Sequence, residues 1–175
     1  TYVGRGSALM WAEKTWDRTV DAVRELADVA EKVGIDIAAH PHIMSPLCSV
    51  DRYVEMLEKV DSSRLKVLLD LVNLTTPFLI YDTTTLVNEA FNVLGHSVVA
   101  LHAKDVVMSG GGKIIAHIDE AVPGTGTMDY VTILGRLDQL DHDVTVHVEH
   151  FPFAETVQGQ QYIRSVARKS GITLN

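Results

Sequence analysis

Four places in this 175-residue sequence gather side chains that hold metals or move protons: His40-Pro41-His42, Asp70, His102-Ala103-Lys104-Asp105 and His147-Val148-Glu149-His150. Each follows a short apolar run. Two imidazoles, His40 and His102, and two carboxylates, Asp70 and Glu149, make a donor set suited to a borderline divalent cation such as Zn²⁺, Mn²⁺ or Co²⁺. Ca²⁺, which prefers oxygen alone, suits it less well. For any single residue a structural reading competes, since a strand-end His is often structural and a strand-end Asp often caps the next turn. Recurrence at four successive run ends favours the joint reading. His102 and Lys104 share strand parity, as do His147 and Glu149, so each pair would face one side of a sheet. From there Lys104 would stabilise an enolate or alkoxide beside the metal. The competing reading makes it a surface lysine paired with Asp105. His42, His147 and His150 are candidates to orient ligands or touch substrate, whereas His96, His117 and His142 are expected to face solvent.

These groups need elements to position them. Apolar residues at Trp16, Val20, Val23, Ala27 and Ala30 trace one helix face, and Gly34 stops that helix in the place of a C-terminal glycine. The run Ile35 to Ala39 reads as a strand. A second helix starts after Ser49 as N-cap and turns Val50, Tyr53, Val54, Leu57 and Val60 inward. Leu65 to Asp70 is the next strand. Thr85 to Leu94 is helical in pattern, with Thr83 to Thr85 as cap candidates and Gly95 as its stop, before a strand over Ser97 to Leu101. A long loop marked by Gly110 to Gly112 and Pro123-Gly124-Thr125-Gly126 leads to a helix from about Asp129 to Leu140. Val144 to Glu149 is the last strand and Glu155 to Lys169 the last helix. Strand and helix alternate throughout, which implies right-handed crossovers and a parallel sheet covered by helices, in one domain over residues 1–175. An open doubly wound sheet and a (β/α) barrel both fit. Only in a barrel do four strand ends converge around one axis.

Composition narrows the functional classes. With 46% hydrophobic and 22% charged residues, the chain is neither disordered nor fibrous. Fifteen Lys plus Arg against 23 Asp plus Glu give a net charge of −8, the wrong sign for tracking phosphates, so no nucleic-acid partner is expected. The single Cys48 cannot form an internal disulfide and reads as a small core residue. No apolar run approaches the roughly 18 residues of a membrane span, and no signal-peptide layout opens the chain, so a cytoplasmic location is expected. Gly110 to Gly112 lacks the setting of a phosphate loop and reads as a hairpin or lid tip. The Pro123 to Gly126 turn has free backbone N–H groups that could hold an anion, although a purely structural turn is the simpler reading. No Ser-His-Asp signature, CxxC or dinucleotide fingerprint is present.

The series His102-Ala-Lys104-Asp105, then Pro123-Gly124-Thr125-Gly126-Thr127-Met128-Asp129-Tyr130, then Val148-Glu149 resembles the "HxKD … GxGxxDY … xE" pattern of xylose isomerase-like TIM barrels, the sugar phosphate isomerase/epimerase group. Leu69-Asp70-Leu71-Val72-Asn73 is similar to that group's "LDxxN/H" segment, and Trp16 to Gly34 to its fourth helix. The resemblance implies a partial barrel, strands five to eight plus the end of strand four at Tyr2 and Val3, with Thr1 to Met10 as the following loop. Strands one to three would be missing, since a complete barrel takes about 250 residues. Thr1 in place of Met agrees with a piece of a longer chain. Either upstream residues or a second copy would then cover the open sheet edge.

In that family a divalent metal is held by Glu, Asp, His and Glu at the ends of strands five to eight and binds the oxygens of a sugar or keto acid. By the same motifs Asp70, His102 and Glu149 match three ligands, and His40 stands where the first glutamate is usual. That change interrupts a shuttle between two glutamates, because a histidine serves as base only through a nitrogen free of metal. Glu149 is then the expected base, Lys104 the electrostatic helper and His40 a ligand with a residual catalytic role. Asn73, like His42 and His147, is a substrate-contact candidate, placed where many relatives carry a second histidine. The implied function is a metal-dependent isomerase or epimerase acting on a small sugar, sugar phosphate or keto-sugar. A dehydratase of the same group, or a sugar-binding module that has lost activity, are the alternatives. Apurinic endonucleases of the group need histidines that this sequence lacks.

Overall fold

The computed structural model describes residues 7–109 and 117–174. The expected strand fragment at Tyr2-Val3 and the Gly110 to Gly112 cluster lie outside the described residues. In chain order the elements are α1 (Glu13–Val33), β1 (Ile37–Ala39), α2 (Val50–Val60), β2 (Leu65–Leu69), α3 (Thr83–Leu94), β3 (Val98–Ala103), β4 (Asp105–Ser109), β5 (His117–Ala121), α4 (Tyr130–Asp138), β6 (Thr145–Val148) and α5 (Phe153–Lys169). Among the described residues β1, β2, β3 and β6 form one parallel sheet in that order, while β4 and β5 form a separate antiparallel hairpin.

The helices begin and end where local chemistry says they should. Ser49 accepts from the Arg52 N–H at the start of α2, and Gly34 closes α1 in the left-handed region at φ 74°. The start of α3 is a correction: Asp82 caps it through the Thr85 N–H, so Thr83 and Thr84 lie inside the helix. Asp129 caps α4, and α5 starts at Phe153, two residues before the expected Glu155.

The core lies between the sheet and these helices. Leu65, Val67 and Leu69 of β2 point into it, with Trp16 and Val20 of α1, Tyr53 and Met56 of α2, Leu86 and Phe91 of α3 and Ile133 of α4. Alternation then puts Lys66, Leu68 and Asp70 on the opposite face. In β3 this alternation is reset by a bulge: Val67 pairs with Val98 but Leu68 with Ala100, which leaves Val99 over. Val98, Leu101 and Ala103 therefore pack against helices, and His102 turns to the face that carries Asp70.

Two expectations on single residues change. Cys48 is half-buried rather than core. His142 is half-buried, with Nε2 2.7 Å from the Val98 carbonyl, whereas His96 and His117 are exposed as expected. Beyond β6 a groove of about 740 Å³ opens beside α4 and α5, lined by Leu137, Val144, Val146, Ile163, Ile172 and Leu174. It runs along β6 from Val144 to Val148. No helix of the described residues is long and apolar enough to cross a membrane.

Candidate active site

The carboxyl ends of all four parallel strands meet at one place. His40 and Asp70 are the residues immediately after β1 and β2, His102 lies in the last turn of β3, Lys104 follows it, and Glu149 comes directly after β6. Two buried tyrosines hold these ends from below. The Tyr53 hydroxyl of α2 lies 2.9 Å from the Ala39 carbonyl and 2.8 Å from that of Leu68, so it spans the ends of β1 and β2. The Tyr130 hydroxyl of α4 donates to the Lys104 carbonyl at 2.9 Å. Burial pushes both phenols above their ordinary pKa, so both remain donors at neutral pH.

Asp70 is the centre of the site and is fully buried. Its Oδ1 accepts from the Asn73 backbone N–H at 3.1 Å. Its Oδ2 is crowded: Lys104 Nζ at 2.8 Å, Asn73 Nδ2 at 2.9 Å, His40 Nε2 at 3.0 Å and His102 Nδ1 at 3.4 Å. Burial alone would raise the Asp70 pKa, but the hydrogen bond from His40 and the Lys104 charge outweigh it and hold the carboxyl below its ordinary value. Asp70 is an anion throughout the neutral range. Lys104 shows the converse: burial opposes its charge, yet Asp70, Glu149 and Glu120 outweigh that and raise its pKa. The reading of Lys104 as a surface lysine paired with Asp105 is therefore overturned. Its side chain is inaccessible to solvent, and its ion pairs are with Asp70, Glu149 and Glu120.

His40, Asp70 and His102 each offer one ligand atom, and the three atoms lie within 4.8 Å of one another. The two rings meet edge to face with centroids 4.8 Å apart. His102 Nδ1 is buried and has no hydrogen-bond partner among the described residues, although Glu149 Oε2 is only 3.0 Å away. Distance is satisfied there but direction is not. A buried nitrogen left without a partner costs free energy unless something else uses it, and an imidazole nitrogen beside a buried carboxylate and a second imidazole suits a divalent cation. Burial also lowers the His102 pKa against the pull of Glu149 and Asp70, which favours the neutral ring that ligation requires. The donor set fits such a cation. Glu149, the fourth expected ligand, stands at the rim of this cluster, 3.1 Å from Lys104 Nζ.

The remaining candidates divide. Asn73 Nδ2 reaches Asp70 Oδ2 at 2.9 Å and the Pro41 carbonyl at 3.1 Å, so its N–H groups hold Asp70 in place and its Oδ1 is the atom left for a substrate. His147 sits beside His102 in register, ring centroids 6.2 Å apart, and is exposed on the open face. His42 Nδ1 accepts the Met44 N–H at 3.0 Å, which leaves the proton on Nε2. Its pKa is lowered by burial and by His40, so it is a neutral donor.

One residue and the partners of another escaped sequence reading. Glu120 comes from β5, within a stretch expected to be loop, and reaches Lys104 at 3.2 Å and His150 Nδ1 at 3.0 Å. The glycine cluster between Val106 to Met108 and Ile118 to Ala121 was the available signal for a hairpin. The other is Asp105. It accepts N–H bonds from Val106, Gly124, Gly126 and Met128, at 2.8 to 2.9 Å. The free N–H groups of the Pro123 to Gly126 turn do hold an anion, and it is this carboxylate.

Over residues 4–166 the sequence matches the model of the xylose isomerase-like TIM barrel family. The chain belongs to that family. The four parallel strands among the described residues are thus part of a barrel, which closes with eight. This xylose isomerase-like chain is 24% identical over 172 residues to the inosose dehydratase of Geobacillus thermodenitrificans (strain NG80-2), covering 89% of this chain and 56% of that protein. A xylose isomerase-like TIM barrel protein from Mycobacterium smegmatis, solved in complex with magnesium, superposes with a TM-score of 0.69 at 17% identity, over 95% of this chain and 54% of that one. A D-tagatose 3-epimerase-like protein superposes with a TM-score of 0.70 at 16% identity, over 96% and 61%. At these identities the superpositions show the fold alone. The chain spans little more than half the length of these relatives.

Proposed function

We propose that this site binds one divalent cation through His40, Asp70 and His102, with Glu149 at its rim, and moves a proton next to the carbonyl of a small sugar, sugar phosphate or keto-sugar. The convergence of three ligand atoms within 4.8 Å on a buried carboxylate carries the reading. Bound there, the cation supplies Lewis-acid polarisation of the carbonyl and so lowers the pKa of the neighbouring C–H. Glu149 is the carboxylate placed to take that proton. Lys104, held as an ammonium in a solvent-free position, puts positive charge where the substrate oxygen becomes negative. Asn73 and Tyr53 keep Asp70 and the strand ends in place. Neutral His42 is a donor for a substrate hydroxyl.

Isomerisation and epimerisation return the proton to carbon. One observation favours elimination of water instead. His40 stands where the resemblance implies a glutamate, leaving Glu149 as the carboxylate base among the described parallel strands, and the sequence relative is a dehydratase. Abstraction by Glu149, followed by return of that proton to the departing neighbouring hydroxyl, releases water and needs no second carboxylate on the opposite face. A metal-dependent enzyme of either kind is a small-molecule enzyme, with Mn²⁺, Zn²⁺ or Co²⁺ as its cation. We further propose that residues 1–175 are one domain.

Metal analysis of the purified full-length protein tests the cation, and absence of bound metal together with no response to added Mn²⁺, Zn²⁺ or Co²⁺ would sink the proposal. Glu149→Gln is expected to slow uptake of solvent deuterium into substrate by about 10²- to 10⁴-fold. Unchanged exchange removes Glu149 from its role.

A further inference from the structure

We infer that Glu120, from the β4–β5 hairpin, is a positioning residue on which cation binding depends, because it takes the Lys104 ammonium when a cation engages Asp70. The inference rests on the metal reading of His40, Asp70 and His102.

In the structure Lys104 Nζ occupies ground that a cation needs. It is the nearest group to Asp70 Oδ2, at 2.8 Å, with Asn73 Nδ2 at 2.9 Å and His40 Nε2 at 3.0 Å behind it. A carboxylate oxygen has about two lone-pair sites, and three nitrogens already share this one. A cation therefore enters only as a donor leaves. His40 is itself a candidate ligand. Asn73 is tied to the Pro41 carbonyl. Lys104 is the donor that combines full positive charge, which repels the incoming cation, with other acceptors within reach.

Those acceptors are unequal. Glu149 Oε2, 3.1 Å from Lys104 Nζ, is also 3.0 Å from His102 Nδ1, so a cation on His102 draws on it as well. Glu120 Oε2, at 3.2 Å, touches none of the three ligand residues. Its other partner is His150 Nδ1 at 3.0 Å. His150 sits at φ 72°, a left-handed conformation uncommon for a residue with a side chain, and its Nε2 lies 3.4 Å from Glu149 Oε2. The ring thus stands between the two carboxylates and holds Glu120 against Lys104. β5 is paired to β4 at Val106↔Glu120, next to Asp105 and the turn it anchors. The carboxylate therefore rides on a fixed element. With Glu120 present a buried ammonium beside a cation stays compensated. Without it, Lys104 has only the two carboxylates that the cation also uses, and a buried charge short of a partner is costly.

The test is calorimetric titration of metal-stripped full-length protein with Mn²⁺. Glu120→Gln is expected to weaken the Mn²⁺ dissociation constant about tenfold, as loss of partners just outside a ligand shell does. Lys104→Met, with Lys104→Gln as its polar counterpart, should tighten Mn²⁺ binding, and adding Glu120→Gln in either background should change nothing more. Wild-type affinity in Glu120→Gln overturns the inference while leaving the metal reading intact. A tenfold loss that survives in both Lys104 backgrounds overturns it too, since Glu120 would then act on the cation directly. Failure of the wild type to bind Mn²⁺, Zn²⁺ or Co²⁺ overturns the metal reading, and this inference with it.

Discussion

Asp105 and Asp70 are both buried carboxylates at strand ends, and they are satisfied by different kinds of donor. Asp105 takes its four hydrogen bonds from backbone amides, two on each oxygen. Asp70 has one backbone donor, and its Oδ2 is held by the side chains of Lys104, Asn73 and His40. Amides of a turn cannot leave a carboxylate unless the turn itself unfolds. Side chains can rotate away or yield to a ligand without disturbing the backbone. One carboxylate is thus structural and the other available for chemistry, although both stand beside Lys104 in space or in sequence. The lysine–aspartate pair divides accordingly: Lys104 turns into the site and Asp105 turns toward the Pro123 to Gly126 turn, the opposite directions that consecutive extended residues take.

The most severe challenge to this contrast is the same substitution at both positions. Asp105→Asn converts one acceptor oxygen into an NH₂ and orphans two buried amides, so unfolding free energy should fall by about 3 kcal/mol or more. Asp70→Asn should cost less stability, since its donors are side chains that rearrange, but weaken cation affinity by about a hundredfold or more. Chemical denaturation and metal titration of the two variants decide the matter. Equal stability losses would erase the distinction.

A smaller effect reaches the same anchor through its turn. A Cβ on Gly126 would collide with the Val106 carbonyl and the Asp105 carboxylate. Gly126→Ala should therefore destabilise by about 1–3 kcal/mol, read as a lowered denaturant midpoint. At Gly124, where φ is +93° and a Cβ would come within 2.5 Å of the Tyr162 ring, the same replacement should act in the same direction.

The smallest expected effect lies far from both aspartates. Glu55 on α2 accepts from Trp16 Nε1 and Arg52 and pairs with Lys59, chiefly the last of which holds its pKa at about 2. Its folded pKa is below its unfolded value, so this contribution is present above about pH 4.5 and lost as pH falls toward 2. The thermal midpoint of the wild type should thus drop more between pH 6 and pH 3 than that of Glu55→Gln. Parallel pH profiles would remove the clamp between α1 and α2. The contact is exposed and its effect small.

Much of this was legible in the sequence. The succession of strands and crossover helices along the chain followed from periodicity and stop residues, and the strand-end groups His40, Asp70, His102 and Glu149 were visible with it. The helix starts were less so: Asp82 rather than a threonine caps α3, because several adjacent residues can accept from the same N–H groups. The glycine cluster read as a hairpin or lid tip, but its two strands were read as loop, since neither alternates apolar with polar residues, and Glu120 was lost with them. Nothing local shows that Asp70 and the Pro41 carbonyl take the N–H groups of Asn73.

By itself the sequence determined the alternation of strand and helix, the apolar faces and the residues that close each strand, because those depend on neighbours one to four positions away. Only the tertiary structure decided which of these groups meet. The bulge at Val99 sets which way His102 faces, and the ordering of β1, β2, β3 and β6 brings Glu149 within 3.0 Å of His102. The partners of Lys104 come from β2, β5 and the end of β6, distances along the chain at which local propensity carries no information. Register and sheet curvature select them, and both are set by how the whole sheet packs on its helices.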